Sequence, residues 1–312
     1  MRLVFMGTPD FAVPSLHALM EADYRPVAVV TVPDKPAGRG QTLRASAIKH
    51  VAEAAGLTVL QPESLRDPAF IEALAALEPD VIVVVAFRIL PPEVYTLAKE
   101  GAFNLHASLL PAFRGAAPIN RALMSGVEET GVTTFFLKPK VDTGDLILQR
   151  RIAVGPNETA GDLHDRLAVL GAEAVVETVQ RIEAGAVEAV PQDDTLASPA
   201  PKIFREDAEI DWTQSARVVH NHIRGLSPYP AAWTTLEDEP LKLYRTTIVD
   251  EGEKHQAPGE VLEAANRLIV ACGEGAVEVL EAQRQGKRRM AVRDFLNGVV
   301  LEPGTRLGEE AH

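Results

Sequence analysis

Short, fully apolar runs separated by helix-length stretches constrain this chain more than any other feature. Residues 2–6 (RLVFM), 27–32 (VAVVTV) and 80–86 (DVIVVVA) are apolar runs of strand length. Strands that carry apolar side chains on both faces suit a sheet covered on both sides. Helical patterns fall between them, near 10–21, 45–55 and 68–77. This alternation predicts an α/β fold with a Rossmann-like, mostly parallel sheet and right-handed crossovers. Residues 101–107 (GAFNLHA) read as the next strand, and 131–137 and 145–153 as a strand pair around the loop at 138–144. A long helix is expected from Thr159 to Ala184, with Leu163, Leu167, Leu170, Ala174 and Ile182 along one face. Thr159, with Asp162 three residues on, makes its N-cap and Gly185 its stop.

The chain has 312 residues, 46% of them hydrophobic, which is more than one compact domain usually holds. The segment 190–203 (VPQDDTLASPAPKI) carries three prolines and few large apolar groups, so it reads as a linker between domains at 1–189 and 204–312. Beyond it, a short helix near 213–224 is expected to end at Gly225. Short β segments follow at 231–236, 241–249, 267–272 and 276–281. Such spacing predicts a smaller C-terminal β-barrel, OB-like in character. Cys272 is the single cysteine, which excludes an intrachain disulfide and a Cys-rich zinc site and suits a reducing, cytoplasmic compartment. No apolar run approaches the ~20 residues that span a bilayer, and the N-terminus reads as a strand rather than a signal peptide. A net charge of −13 argues against a protein that coats DNA.

Three segments bear on chemistry. The first strand-to-helix turn, GTPDFAVP at 7–14, has one glycine where a dinucleotide fold uses GxGxxG, so NAD binding is unsupported. Asn104 and His106 alternate along the strand at 101–107 and so share a face near its carboxyl end, where open α/β sheets bind ligands. An amide there can stabilise an oxyanion and an imidazole can move a proton. On spacing alone a strand histidine is more often structural. Asp142, before a Thr-Gly turn, reads either as an Asx turn or as the carboxylate that orients His106. No His, Asp, Glu or Cys cluster has metal-ligand spacing, so no metal is expected.

Seven segments, in order along nearly the whole chain, resemble the methionyl-tRNA formyltransferases among the folate-dependent formyltransferases. They are FMGTPDF at 5–11, PDKPAGRG at 33–40, NLHASLLPAFRGAAP at 104–118, DTGD at 142–145, IDW at 210–212, IRGL at 223–226 and DFLNG at 294–298. The resemblance implies formyl transfer from 10-formyltetrahydrofolate to the α-amine of initiator methionyl-tRNA, without a metal. It implies a formyltransferase catalytic domain at 1–189 and a tRNA-binding barrel at 204–312. Asn104, His106 and Asp142 match the catalytic trio. Ser108, Leu109, Leu110 and Pro111 match a folate-binding segment, and Phe87, Arg88, Ile89 and Leu90 would line the pterin pocket. The loop from Pro33 to Arg44, centred on Arg39, would engage the acceptor arm. The chain departs from the family pattern at Arg88, where glycine is usual, at Lys138 and Lys140, and at Pro199 in place of a tyrosine. These departures bear on the folate pocket and leave the trio intact.

Local charge suits a polyanion better than the net charge does. Residues 34–44 carry +2 through Lys35, Arg39 and Arg44; residues 281–293 carry +4, including Lys287, Arg288 and Arg289; Lys202 and Arg205 flank the linker's end. Taken singly, such runs are usually solvated surface. The expected partners are initiator methionyl-tRNA and a small-molecule folate, with no membrane and no DNA, and the expected state is a monomer. The rivals are another folate-linked formyl enzyme acting on an amino-sugar nucleotide or hydrolysing the formyl group, a Rossmann-type oxidoreductase, and a non-catalytic RNA-binding module.

Overall fold

The computed structural model describes the chain apart from residues 38–41, 253, 255–256 and 309–312. It divides into two compact units, one of residues 1–118, 130–152 and 164–200 and the other of 119–129, 153–163 and 201–312.

The first unit is built on strands β1 (Leu3–Gly7), β2 (Ala28–Val30), β5 (Val59–Leu60), β6 (Val81–Val85), β7 (Ala102–His106), β8 (Glu129–Phe136) and β9 (Leu146–Ala153). Strands β3 (Lys35–Ala37) and β4 (Thr42–Arg44) form a separate antiparallel hairpin. The large sheet has the order β5-β2-β1-β6-β7-β8-β9. Its pairs from β5 to β7 are parallel, and β8 runs antiparallel to β7. The expected Rossmann-like sheet is thus present. The chain winds outward from β1 through β2 to β5, then returns to β6 on the other side of β1. That reversal creates a crevice at the carboxyl ends of the strands, where open sheets bind ligands.

Helices α1 (Val13–Glu21), α2 (Ala47–Ala54), α3 (Pro68–Ala75) and α4 (Pro92–Tyr95) lie between the strands of this sheet in the chain. Every residue of β1 and β6 is buried, as expected for strands with helices on both faces. Val4, Met6, Ile82 and Val84 pack with Phe70 and Leu74 of α3 (Pro68–Ala75) on one face. The long helix is α6 (Ala160–Glu183). Of its expected apolar face, Leu163, Leu167, Ala174 and Ile182 are buried and Leu170 is half-buried. Thr178 bonds Thr134 of β8 at 2.7 Å through their hydroxyls, and Gly171 sits so close to Leu105 of β7 that an added Cβ would stand 2.6 Å from its side chain.

The second unit carries a six-stranded antiparallel sheet with the order β10-β11-β14-β13-β12, and with β15 pairing β14. These strands are β10 (Ala232–Leu236), β11 (Glu239–Asp250), β12 (Val261–Glu263), β13 (Leu268–Ala271), β14 (Ala276–Arg284) and β15 (Met290–Ala291). The small barrel takes the form of a half-barrel. Register shifts along β11, between Leu243 and Thr246 and again after Ile248, bend it. The core of this unit gathers Trp212, Ile223, Leu243, Val270, Val279 and Phe295. Helix α7 (Ala216–Leu226) does not stop at Gly225. Gly225 lies inside the helix, where a Cβ would meet the Met124 side chain at 2.7 Å, so this glycine serves close packing on α5 (Pro118–Met124) rather than termination.

The N-terminus of α6 shows the expected reciprocal cap. Asp162 Oδ2 accepts from the Thr159 N–H at 3.0 Å, and the Thr159 hydroxyl accepts from the Asp162 N–H at 3.2 Å. Arg245 donates to both oxygens of Asp162, at 3.0 and 2.9 Å. Burial would raise the Asp162 carboxyl, but the bonds from Thr159 and the charge of Arg245 outweigh it and hold it below its ordinary value. A carboxylate depressed in the folded state contributes stability above its unfolded value, near pH ~3.9, and loses it as pH falls through the folded value. Thr159→Ala should cost about 1 kcal/mol at pH 7. In urea denaturation the gap between the parent protein and Asp162→Asn should shrink as pH is lowered from ~7 to ~3; a gap independent of pH would contradict the charged cap.

Candidate active site

The carboxyl ends of β6 and β7 and the loop joining β8 to β9 supply the polar groups of the crevice. Asn104 and His106 share one face of β7, opposite Phe135 and Thr133 of β8. Asn104 is half-buried and His106 is 6% exposed. His106 Nε2 lies 2.9 Å from the Phe113 carbonyl oxygen, and Nδ1 lies 3.8 Å from Asp142 Oδ2. The first distance is a hydrogen bond and the second exceeds one. The carbonyl accepts only, so Nε2 carries the proton in this arrangement and Nδ1 faces the carboxylate.

Asp142 is placed by the backbone. Its Oδ2 accepts from the Gly115 N–H at 2.9 Å. Its own φ is +54°, in the left-handed region. Two glycines permit this packing. A Cβ on Gly144 would stand 1.5 Å from the Phe136 carbonyl oxygen, and one on Gly115, at φ +130°, would stand 2.5 Å from the Ala200 carbonyl oxygen. Ala86 and Phe113, two other non-glycine residues that border the site, also adopt left-handed φ, at +47° and +60°. Such conformations cost energy and persist only where the surrounding structure holds them.

What holds them is largely invisible in sequence patterns. Gln192 Nε2 donates to the carbonyl oxygens of Asp142 and Gly144, at 3.0 and 2.7 Å. Its Oε1 accepts from Arg114 Nε at 3.1 Å and Nη2 at 2.7 Å, and Arg114 also pairs with Asp194 at 2.7 Å. Ser198 Oγ accepts from the Phe113 N–H at 2.9 Å, and Arg114 and Pro199 form a parallel bridge. Residues 192–200 of the proline-rich segment therefore lie hydrogen-bonded along the 113–117 loop. Gln192 belongs to no motif, and Arg114 enters the sequence reading only as part of the NLHASLLPAFRGAAP segment.

The SLLP turn is satisfied internally. The Ser108 hydroxyl donates to the Ala112 carbonyl at 2.6 Å, and Thr133 Oγ1 donates to the Ser108 carbonyl at 2.7 Å while accepting from the Leu110 N–H at 3.1 Å. Ser108 and Leu110 are buried; Leu109 and Pro111 are half-buried. Arg88, Ile89 and Leu90, with Leu65, Arg66 and Pro139 among the other walls, border a cleft of about 520 Å3. This size suits a small organic ligand, whose sites run from ~300 to ~1,000 Å3. Phe87 lies beneath the Arg88 guanidinium, 5.2 Å from it. Arg88 donates to the carbonyls of Glu63 and Pro62, each at 2.9 Å, and so braces the cleft where the family pattern has glycine. Burial pushes this guanidinium down from its ordinary value.

The expected RNA-facing cations are spread over both units. Lys35 and Arg44 are exposed register partners of the β3–β4 hairpin, while Asp34 is engaged by Lys49 at 2.6 Å. Arg39 lies outside the described residues. Lys202 and Arg205 are exposed in the second unit. So are Lys287 and Arg288, but Arg289 is paired with Glu281 and covers the Tyr244 ring at 4.5 Å. Among the described residues no group of three or more His, Cys, Asp or Glu could hold a metal ion, and no helix is long and apolar enough to cross a membrane.

Comparison with known proteins agrees with this layout. The sequence pattern of the formyl transferase family matches residues 1–179, and that of the formyl transferase C-terminal domain matches 202–300. The methionyl-tRNA formyltransferase of Chlorobium chlorochromatii is 50% identical over 307 residues, covering 97% of this chain and 98% of that protein. The methionyl-tRNA formyltransferase of Geobacter metallireducens is 45% identical over 310 residues, covering 99% of both. Among solved structures, an N-formyltransferase from Helicobacter canadensis in complex with folinic acid and dTDP-3-aminofucose superposes with a TM-score of 0.70. It is 21% identical and covers 91% of this chain and 99% of that one, a likeness of fold alone. The chain belongs to the formyl transferase family.

Proposed function

We propose that this chain transfers a formyl group from 10-formyltetrahydrofolate to the α-amine of methionyl-tRNA, giving formyl-methionyl-tRNA for translation initiation. The observation that carries the reading is the convergence of Asn104, His106 and Asp142, from β7 and the β8–β9 loop, at the carboxyl ends of the sheet. Identity of 45–50% to methionyl-tRNA formyltransferases over nearly the full length supports the nature of the acceptor.

The donor supplies an electrophilic formyl carbon. The cleft beside Arg88, Ile89 and Leu90 fits a flat heterocycle: it has an apolar wall, an exposed Ile89, and a floor braced by Arg88. An α-amine titrates near pH ~8, and esterification lowers that further, so much of it is free base at neutral pH. The protein therefore has no strong nucleophile to generate. Its residues must position the amine, stabilise the oxygen that gains charge, and move one proton. We assign the oxygen to the Asn104 amide, helped by His106. We assign to His106 the transfer of a proton from the attacking nitrogen toward the departing folate nitrogen. Asp142 faces Nδ1 and stabilises the ring while it holds that proton. The 3.8 Å gap between them is of the kind that tightens when substrates bind. Gln192 acts through Asp142 as a positioning residue.

The acceptor is bound by charge. Lys35 and Arg44 on the hairpin and Lys202, Arg205, Lys287 and Arg288 in the second unit offer cations to phosphates. Arg289 contributes less, because Glu281 neutralises it. In this reading the first unit is catalytic, the second binds RNA, and the protein works as a monomer in the cytoplasm on initiator tRNA.

Asn104→Ala or His106→Ala should lower kcat for formyl-methionyl-tRNA by on the order of a hundredfold or more, with tRNA affinity little changed. Gln192→Ala should cost on the order of tenfold by loosening the Asp142 turn. Wild-type turnover in His106→Ala would remove the assigned chemistry. The tRNA dissociation constant should rise steeply with salt, and Lys287→Glu with Arg288→Glu should weaken binding and flatten that slope. An affinity indifferent to salt in filter-binding assays would contradict the charged contact.

A further inference from the structure

The second unit exposes three aromatic rings to water, two of them beside a cation. Phe204 is 54% exposed, and Lys202 Nζ sits 5.5 Å from its ring centre. Arg205 lies 5.5 Å over the half-buried Trp233, whose indole N–H donates to the Arg205 carbonyl at 3.0 Å. Lys242 is the cross-strand neighbour of Trp233 and donates to the Pro230 carbonyl at 3.3 Å. Between Pro228 and Pro230, Tyr229 is 83% exposed. Of the carboxylates on this stretch, Asp207 is engaged by the Phe204 N–H at 2.9 Å and by Arg121 at 3.5 Å, while Glu206 and Glu209 are exposed.

A single exposed apolar side chain is ordinary. Three aromatics interleaved with three lysine or arginine cations are the composition of a single-strand nucleic-acid platform: rings stack on bases, and cations meet the phosphates between them. Duplex RNA hides its base faces, so only unpaired nucleotides can use such rings. We propose that Phe204, Trp233 and Tyr229, with Lys202, Arg205 and Lys242, form a stacking platform for the unpaired 3′ strand of the acceptor tRNA. This rests on the formyl-transfer reading for the identity of the RNA, since the methionyl ester is carried on that strand. The charged residues alone would give only a sequence-blind hold on phosphate; the rings add a contact that distinguishes a free strand from a duplex.

Trp233 reports on the site directly, while Trp212, the other tryptophan, is buried and bonded to Thr234. The test is tryptophan fluorescence of the full chain titrated with uncharged tRNA, and with the same tRNA stripped of its unpaired 3′ nucleotides. Intact tRNA should quench Trp233. Phe204→Ala should raise the dissociation constant by on the order of 5- to 100-fold, and Phe204→Trp should restore most of it. Tyr229→Ala should act in the same direction. Stripped tRNA should bind the parent protein and Phe204→Ala equally. The proposal is overturned if both alanine variants bind intact tRNA within about twofold of the parent, or if stripping the strand weakens Phe204→Ala as much as it weakens the parent. The assay needs no turnover. A parent protein that stacks the strand yet makes no formyl-methionyl-tRNA would end the transferase reading and leave the platform; a working transferase with inert rings would end the platform alone.

Discussion

The backbone N–H of Gly115 donates to Asp142 Oδ2 at 2.9 Å, and the remaining groups of the site take their places around that bond. Hydrogen bonds to charged groups are worth about 1.5–3 kcal/mol, more than neutral ones. This one links two loops that come from opposite ends of the sheet's antiparallel margin. The carboxylate, once fixed, faces His106 Nδ1, while the Phe113 carbonyl holds the opposite edge of the ring. Each loop is in turn clamped by contacts that no side chain larger than hydrogen would allow, Gly144 against Phe136 and Gly115 against Ala200. Gln192, from the 192–200 strip, closes the arrangement with Arg114 of the 113–117 loop.

The sheet explains why the site lies here. Strands β1 and β6 are apolar on both faces and buried, so they offer no chemistry along their lengths. At the carboxyl ends, where the order reverses beside β1, the chain leaves the sheet in loops that need not be apolar. Asn104 and His106 are the polar side chains inside β7. They are tolerated because β7 borders the antiparallel strand β8, at the transition from the parallel sheet to its margin. Left-handed backbone at Ala86, Phe113 and Asp142 concentrates strain around the same crevice.

Much of this was legible in the residues. Uninterrupted apolar runs announced β1, β2 and β6, and Thr159 with Asp162 announced the start of α6, because both signals are local. The side-by-side placement of Asn104 and His106 follows from the two-residue period of a strand. Other features depend on partners distant in sequence. Gly225 looked like a helix stop, yet it answers to Met124. The short helix α5 has no apolar period long enough to read. Gln192 sits in a proline-rich stretch that resembles any linker, and only its bonds to Asp142 and Gly144 reveal its part. The segment 281–293 counts as +4 in the sequence, but Glu239 and Glu281 pair with two of its arginines across neighbouring strands.

The central claim is that one formyl carbon lies within reach of three side chains. A crystal structure of the protein with 5-formyltetrahydrofolate measures it most directly. The account predicts the pterin in the cleft beside Ile89 and the formyl oxygen within ~3 Å of the Asn104 amide or the His106 ring. A formyl group bound with all three of Asn104, His106 and Asp142 beyond hydrogen-bond reach, even through one water, would contradict it.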